Sequence, residues 1–206
     1  MDSIAAVILA GGKSSRMGQP KELLPWRGGT IIRELVKEVL ASRLSCLVVS
    51  NSPELVRREV MGYGDVRVTP DLVPSSGPVS GLVTAFRARE EEMLLILSCD
   101  LPFLNRSHID KLLAFAREEV GWDVIAAKVR DRLHPLFALY HRRTQQAWEE
   151  ALAKGQLRLM DTLARLQVKE TPEGLIDDWA VFNANTPEEY RLAMAREEGR
   201  KQDGGK

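Results

Sequence analysis

An aspartate stands at the end of the most apolar run in the chain, Met93-Leu94-Leu95-Ile96-Leu97-Ser98-Cys99-Asp100-Leu101-Pro102. Such a run reads as a buried central strand, which would hold the Asp100 carboxylate rigidly at its tip. Oxygen ligands suit Mg²⁺, which takes one or two carboxylates together with phosphate oxygens and water. Asp-x-Pro is also turn chemistry, so a capping role is the alternative for this residue. A second segment supplies the complementary charge. Residues Leu9-Ala10-Gly11-Gly12-Lys13-Ser14-Ser15-Arg16-Met17-Gly18-Gln19-Pro20-Lys21 hold three glycines, three cations and two hydroxyls in thirteen positions. Gly11 and Gly12 let backbone N–H groups approach a ligand with no side chain between. Those groups, with Arg16 and Lys21, suit a polyphosphate. A G-x-S-x-G nucleophile motif is absent from the chain.

Two familiar phosphate motifs fail here. Gly12-Lys13-Ser14 invites a P-loop reading, but that motif needs glycine five places before its second glycine, where Val7 stands. The G-x-G-x-x-G dinucleotide pattern is missing from this loop as well.

Further candidates fall after other strand-like runs. Asn51 follows Val48-Val49-Ser50 and can both donate and accept, as reading a base requires; the same residue type also caps helices. Asp71 lies in Thr69-Pro70-Asp71-Leu72-Val73-Pro74, ahead of Gly77-Pro78-Val79-Ser80-Gly81-Leu82, where a helix N-terminus would favour an anion. Asn183 and Asn185, in Phe182-Asn183-Ala184-Asn185-Thr186-Pro187, would point to one side of an extended segment. Thr186 already caps the following helix, which leaves both amides for another purpose. His134 opens His134-Pro135-Leu136-Phe137 and reads either as a contact for a second substrate or as a packed core histidine. His108 and His141 have no partner at metal-ligand spacing. Trp26, Trp122, Trp148 and Trp179 are scattered, as packing residues are.

The elements that must position these groups alternate in type. Ile4–Ala10, Leu44–Ser50, residues 66–68, Met93–Ser98, Val124–Lys128 and Leu136–His141 read as strands. Between them lie a helix over 31–42 capped by Thr30, one opening at Ser52-Pro53, and one beginning near Pro78. Others follow near 108–119 (capped by Ser107 with Asp110), at 142–154, at 159–166, and from Pro187 onward. This alternation predicts an α/β fold, a three-layer sandwich with a mostly parallel central sheet. In open sheets of that type ligands bind beyond the carboxyl ends of the strands. Residues 1–197 are expected to form a single domain, with 198–206 a disordered tail.

Composition narrows the class. The 206 residues are 44% hydrophobic and 28% charged, with 29 basic and 29 acidic side chains. A balanced chain argues against general nucleic-acid or anionic-membrane binding. Cys46 and Cys99 lie in apolar runs and cannot build a disulfide framework. The start lacks the basic flank of a signal peptide, and no apolar run approaches the roughly 20 residues of a membrane span. The expectation is a cytoplasmic protein.

The string LAGGKSSRMGQPKELL resembles the signature loop of the GT-A-like nucleotidyltransferases, and most closely that of the molybdenum cofactor guanylyltransferases, the MobA family. GPVSGL at 77–82, CDLPFL at 99–104, HPLFALY at 134–140 and FNANTP at 182–187 resemble the family's other motifs, in order. The resemblance is recognisable over residues 4–190 and tight in these short segments. It implies transfer of GMP from GTP to the terminal phosphate of molybdenum cofactor (molybdopterin), with release of pyrophosphate. It also implies that Leu9, Ala10, Gly11, Gly12, Lys21, Asn51, Asp71, Gly77, Gly81 and Asp100 bind the nucleotide. Arg16, Lys21 and Asp100 would be the catalytic groups, Asp100 the Mg²⁺ ligand, and His134, Asn183 and Asn185 the acceptor contacts. Pro20-Lys21 departs from the Asp-Lys pair common in guanylyltransferases and is similar to the cytidylyl enzymes, so a CTP-dependent molybdopterin cytidylyltransferase is the alternative. A non-catalytic nucleotide- or cofactor-binding module is a further one, disfavoured by the retained Asp100 and Lys21. A monomer with transient contacts to molybdoenzymes or other cofactor-biosynthesis proteins is the expected state.

Overall fold

The computed structural model describes residues 3–11, 20–74 and 76–203, which leaves Gly12 and Arg16 outside the described residues. The chain opens with β1 (Ile4–Ala10), a 3-10 turn at Lys21–Leu23, and a ribbon of β2 (Pro25–Trp26) and β3 (Gly29–Thr30). It continues through α1 (Ile31–Ala41), β4 (Cys46–Ser50), α2 (Pro53–Val60), β5 (Val66–Pro70), α3 (Gly77–Ala88) and β6 (Met93–Ser98). The second half holds α4 (Arg106–Glu118), β7 (Val124–Val129), β8 (Arg132–His141), α5 (Gln145–Ala153), α6 (Leu159–Leu163), β9 (Val168–Glu170) and α7 (Pro187–Asp203). Helix α7 therefore continues past Glu197 into the segment expected as a tail.

The seven-stranded sheet has the order β5-β4-β1-β6-β8-β7-β9. All its neighbouring pairs are parallel except those of β8, which runs antiparallel to both β6 and β7. This is the mostly parallel α/β sandwich expected from the alternation of elements. Period-two alternation along β1 divides the core. Ala6, Ile8 and Ala10 pack with Ile32, Val36 and Val39 of α1, Val56 of α2, and Ile109 and Leu112 of α4. Ala5, Val7 and Leu9 face the other way, onto Val79, Leu82 and Phe86 of α3, Trp148 of α5, and Leu159 and Leu163 of α6. Each β1 side chain from Ala5 to Ala10 is buried, which explains why the strand reads as a continuous apolar run rather than an alternating one.

Several boundaries differ from expectation for local physical reasons. Helix α4 is capped by Asn105, not Ser107. Asn105 Oδ1 accepts from the His108 amide at 3.3 Å, and the Asn105 amide donates to His108 Nδ1 at 3.2 Å. The accepting Nδ1 places the histidine proton on Nε2, which faces Asp177 Oδ2 at 2.6 Å. Strand β8 begins at Arg132, reached through a tight hairpin whose Arg130 and Asp131 both lie at positive φ (49° and 57°) without a glycine. Strand β9 is a short polar edge that apolar patterning does not mark. By contrast, α7 is capped as expected: Thr186 Oγ1 accepts from the Glu189 amide at 3.1 Å, and Glu189 Oε2 accepts from the Thr186 amide at 2.9 Å.

Candidate active site

The sheet order creates the site. From β1 the chain moves outward through β4 to β5, then crosses back to place β6 on the other side of β1. A crevice opens where the winding reverses, beyond the carboxyl ends of β1 and β6. Leu9 pairs with Ser98 in register, and the Cys99 amide donates to the Leu9 carbonyl at 3.2 Å. Asp100 and Gly11, the residue that follows β1, are therefore neighbours.

A cleft of about 340 Å³ lies there. It is lined by Leu9, Gly11, Lys21, Asn51, Asp71, Gly77, Gly81 and Asp100, with Val49, Pro78, Ser98 and Leu136. Eight candidates chosen from five separate stretches of sequence thus share one wall. Ala10 is different: its side chain packs into the core beneath α1 rather than lining the cleft.

Each residue is held by identifiable neighbours. A Cβ at Gly11 would lie 3.0 Å from Asn51 Nδ2, so glycine lets that amide rest closer against the chain than a larger residue would. The parallel pairing of Ser50 with Pro70 brings Asn51 and Asp71 to adjacent strand ends. Asp71 Oδ1 accepts from the Ser80 hydroxyl, and lies 3.0 Å from Thr84 Oγ1 and 3.4 Å from the Val73 amide. This carboxylate straps its loop to the first turns of α3. The i, i+4 spacing of Ser80 and Thr84 on one helix face was the available sequence signal for those partners. Gly77 opens α3 at φ +73°, a conformation L side chains avoid.

Lys21 Nζ lies 2.9 Å from Asp100 Oδ2 and 2.9 Å from Asn185 Oδ1. Burial disfavours its charge, but the neighbouring Asp100 and Glu22 carboxylates more than compensate, and its pKa stands above the ordinary lysine value. Asp100 Oδ1 is buried and finds no hydrogen-bond partner among the described residues. An orphaned carboxylate oxygen is costly unless a donor or cation meets it. That oxygen belongs to a residue that lines the crevice, and it suits a divalent cation. No cluster of three metal-ligating side chains occurs among the described residues. A cation held by Asp100 could complete its shell with phosphate oxygens and water, the pattern Mg²⁺ favours. Burial pushes the Cys99 thiol well up and that of Cys46 to about 12, which makes both inert.

A second cleft of about 220 Å³ shares Ser98, Asp100 and Leu136 with the first, and adds Arg132, His134, Pro135 and Asn183 among its walls. Burial and the nearby Arg132 lower the His134 pKa, so its imidazole is neutral at pH 7. Asn183 and Asn185 do not lie on a strand. Their segment is held instead by the Ala184 amide, which donates to the Asp100 carbonyl at 3.0 Å. That bond sets Asn183 in the second cleft while Asn185 reaches Lys21. Arg132 and Leu136 were not singled out from sequence, since their role depends on how β8 inserts beside β6.

The arrangement is one carboxylate between two clefts, with an ammonium on one oxygen and nothing described on the other. It can hold a metal-bound polyphosphate in one cleft and an anion in its neighbour. Known proteins resemble this chain in sequence and in fold. A curated relative from Carboxydothermus hydrogenoformans, named probable molybdenum cofactor guanylyltransferase, is 32% identical over 199 residues, covering 94% of this chain and 96% of that one. A Bacillus cereus protein of the same name is 30% identical over 94% of this chain and 97% of its own. Among solved structures, molybdopterin-guanine dinucleotide biosynthesis protein A from Archaeoglobus fulgidus superposes with a TM-score of 0.77 at 22% identity, covering 92% and 96% of the two chains. The 4-diphosphocytidyl-2C-methyl-D-erythritol synthase of Anaerococcus prevotii shares the fold at a TM-score of 0.70 and 14% identity, over 96% of this chain and 99% of that one. The family model described as a MobA-like NTP transferase domain matches residues 6–169, and the chain belongs to that family.

Proposed function

We propose that this enzyme transfers GMP from GTP to the terminal phosphate of molybdenum cofactor (molybdopterin), releasing pyrophosphate. The observation that carries the reading is the position of Asp100 on the wall common to both clefts. GTP would lie in the first cleft, its base toward Asn51 and its phosphates toward Lys21 and the glycine turn. Gly12 and Arg16 would complete that cradle. The acceptor phosphate would lie in the second cleft with Arg132, His134 and Asn183. Its oxygen forms a bond to the α-phosphorus as the bond from that phosphorus to the β-phosphate bridging oxygen breaks. A phosphate monoester is already anionic near neutral pH, so the attack needs no strong base. The obstacle is repulsion between two anions. Lys21 offsets charge on the α-phosphate and leaving group, and Asp100 holds the cation. Mg²⁺, when bound, would neutralise and orient phosphate oxygens. Orientation across the shared wall supplies much of the rest.

The chain would work as one domain that takes in the whole of α7, as a cytoplasmic monomer that meets molybdoenzymes or other biosynthetic proteins transiently. No helix among the described residues is long and apolar enough to cross a membrane. The decisive assay offers GTP, CTP, ATP and UTP with Mg²⁺ and molybdopterin, and follows pyrophosphate. Release with GTP alone is the expected result. Release with CTP in its place would support the cytidylyl reading that Pro20-Lys21 suggests.

Gly81→Ala tests the first cleft without removing a charge. A Cβ at Gly81 would stand 3.0 Å from Leu9 Cδ2 and 3.2 Å from Leu9 Cδ1. Alanine gains about 0.5–1 kcal/mol of helix propensity over glycine, which offsets part of the contact, so the melting temperature should fall only slightly. The Leu9 methyls yield toward the cleft, and the KM for GTP should rise roughly fivefold. An unchanged KM would show that Leu9 turns elsewhere.

A further inference from the structure

Resting on that reading of the second cleft, we propose that Tyr140 is a positioning residue for the acceptor: its buried hydroxyl holds an excursion of β8 that sets His134 and Leu136 where the two clefts meet. The register exposes the excursion. Ala126 of β7 pairs with Ala138, but the next residue, Ala127, pairs with His134. One step on β7 therefore spans residues 134 to 138 of β8, and Pro135, Leu136 and Phe137 have no counterpart on that side. An ordinary bulge inserts a single residue. Phe137 still pairs with Leu97 of β6, which anchors the far end of the excursion.

The excursion creates a need that Tyr140 meets. Pro135 has no N–H to lose when the ladder breaks. Its carbonyl still requires a donor. Tyr140 Oη donates to the Pro135 oxygen at 2.8 Å. These residues are five apart on one strand, which in fully extended chain is a span of roughly 16 Å, more than a tyrosine side chain bridges, so the bond depends on the excursion bringing the Pro135 carbonyl nearer. The Tyr140 side chain is wholly buried, its ring 5.8 Å from that of Trp148 and inclined at 70°. Burial raises the phenol's pKa, so it remains a donor at any working pH. A phenylalanine would pack the same apolar space. The hydroxyl therefore marks a requirement beyond packing, because a buried hydroxyl without a partner is costly. The carbonyl it holds lies between His134, on the second cleft, and Leu136, on the wall common to both. Displacing that wall by an ångström misaligns acceptor and nucleotide, and misplacement on that scale is enough to slow a transfer strongly.

Tyr140→Phe removes one oxygen and no packing. The KM for molybdopterin should rise about fivefold or more while that for GTP stays within about twofold. The Leu136 and Phe137 amides should exchange faster with deuterated water. Thr144→Val is the structural control. It removes a hydroxyl in the same buried layer that accepts from Trp148 Nε1 at 3.2 Å and donates to the His141 carbonyl at 2.8 Å, without touching Pro135. It should lower the melting temperature comparably and leave the molybdopterin KM unchanged. A molybdopterin KM within about twofold of wild type in Tyr140→Phe, or an equal rise in Thr144→Val, overturns the proposal. If wild-type protein cannot use molybdopterin at all, the acceptor reading is what fails. The exchange of Leu136 and Phe137 then decides whether Tyr140 holds the excursion: unaltered exchange overturns it.

Discussion

Asp100→Asn should remain folded and transfer GMP at least about a hundredfold more slowly than wild type, the scale of losing one preorganised electrostatic group. The substitution keeps the side chain's shape and an oxygen able to accept from Lys21, while removing the charge that would hold a divalent cation. It also acts on Lys21, because the neighbouring carboxylate is one of the groups that raise the lysine pKa against the pull of burial. Stability should respond far less. One Asp100 oxygen is buried without a partner among the described residues, so the ionised side chain carries a desolvation cost that the neutral amide lowers. The Lys21 ammonium, which keeps Asn185 at 2.9 Å, is not abandoned. The melting temperature should therefore stay close to wild type while the initial rate of pyrophosphate release at saturating Mg²⁺ collapses. A variant that turns over at near-normal rate would remove Asp100 from metal binding. One that unfolds would make the aspartate structural.

The site was legible one residue at a time, and its geometry was not. Asp100 stood out because a carboxylate after six consecutive buried residues, Met93–Ser98, serves either a turn or a ligand at the strand tip. Gly11 and the Gly77–Gly81 stretch were readable because glycine puts no side chain between backbone and ligand. What joins them is the reversal in winding between β5 and β6, a nonlocal property of the sheet. The antiparallel β8 was harder. It inserts in the sheet between β6 and β7, and its hairpin uses Arg130 and Asp131 at positive φ instead of the glycine that would have marked a turn. The second cleft, formed where β8 breaks register, was visible only as the isolated His134 and Asn183. The α4 cap misled because Ser107 with Asp110 satisfies a capping pattern, whereas Asn105 with a histidine as its reciprocal partner does not resemble one.

Lys21→Ala should produce the other large loss, with a different signature. Lys21 approaches Asp100 and Asn185 at once, so it ties the turn after the first loop to the strand tip and to the segment entering α7. Its folded-state pKa lies above the ordinary 10.5, so the ammonium is fully charged at neutral pH. The stabilisation from its pairing is complete below that ordinary value and fades only as pH passes the raised one. Activity near neutrality should therefore show no pH dependence from this group. On the proposed reading, the triphosphate would lose a charge-assisted contact without it. The KM for GTP should rise about tenfold, and kcat should fall by about a hundredfold as leaving-group charge goes uncompensated. The metal response should separate the two variants. In Lys21→Ala the Asp100 carboxylate no longer shares an oxygen with an ammonium, so half-saturating Mg²⁺ should fall. In Asp100→Asn added Mg²⁺ should restore nothing. Lys21→Arg should recover the KM more than kcat, because a planar guanidinium cannot serve as a compact charge between Asp100 and Asn185. Unchanged kinetics in Lys21→Ala would take the lysine out of the phosphate site and leave its ion pair a purely structural tie.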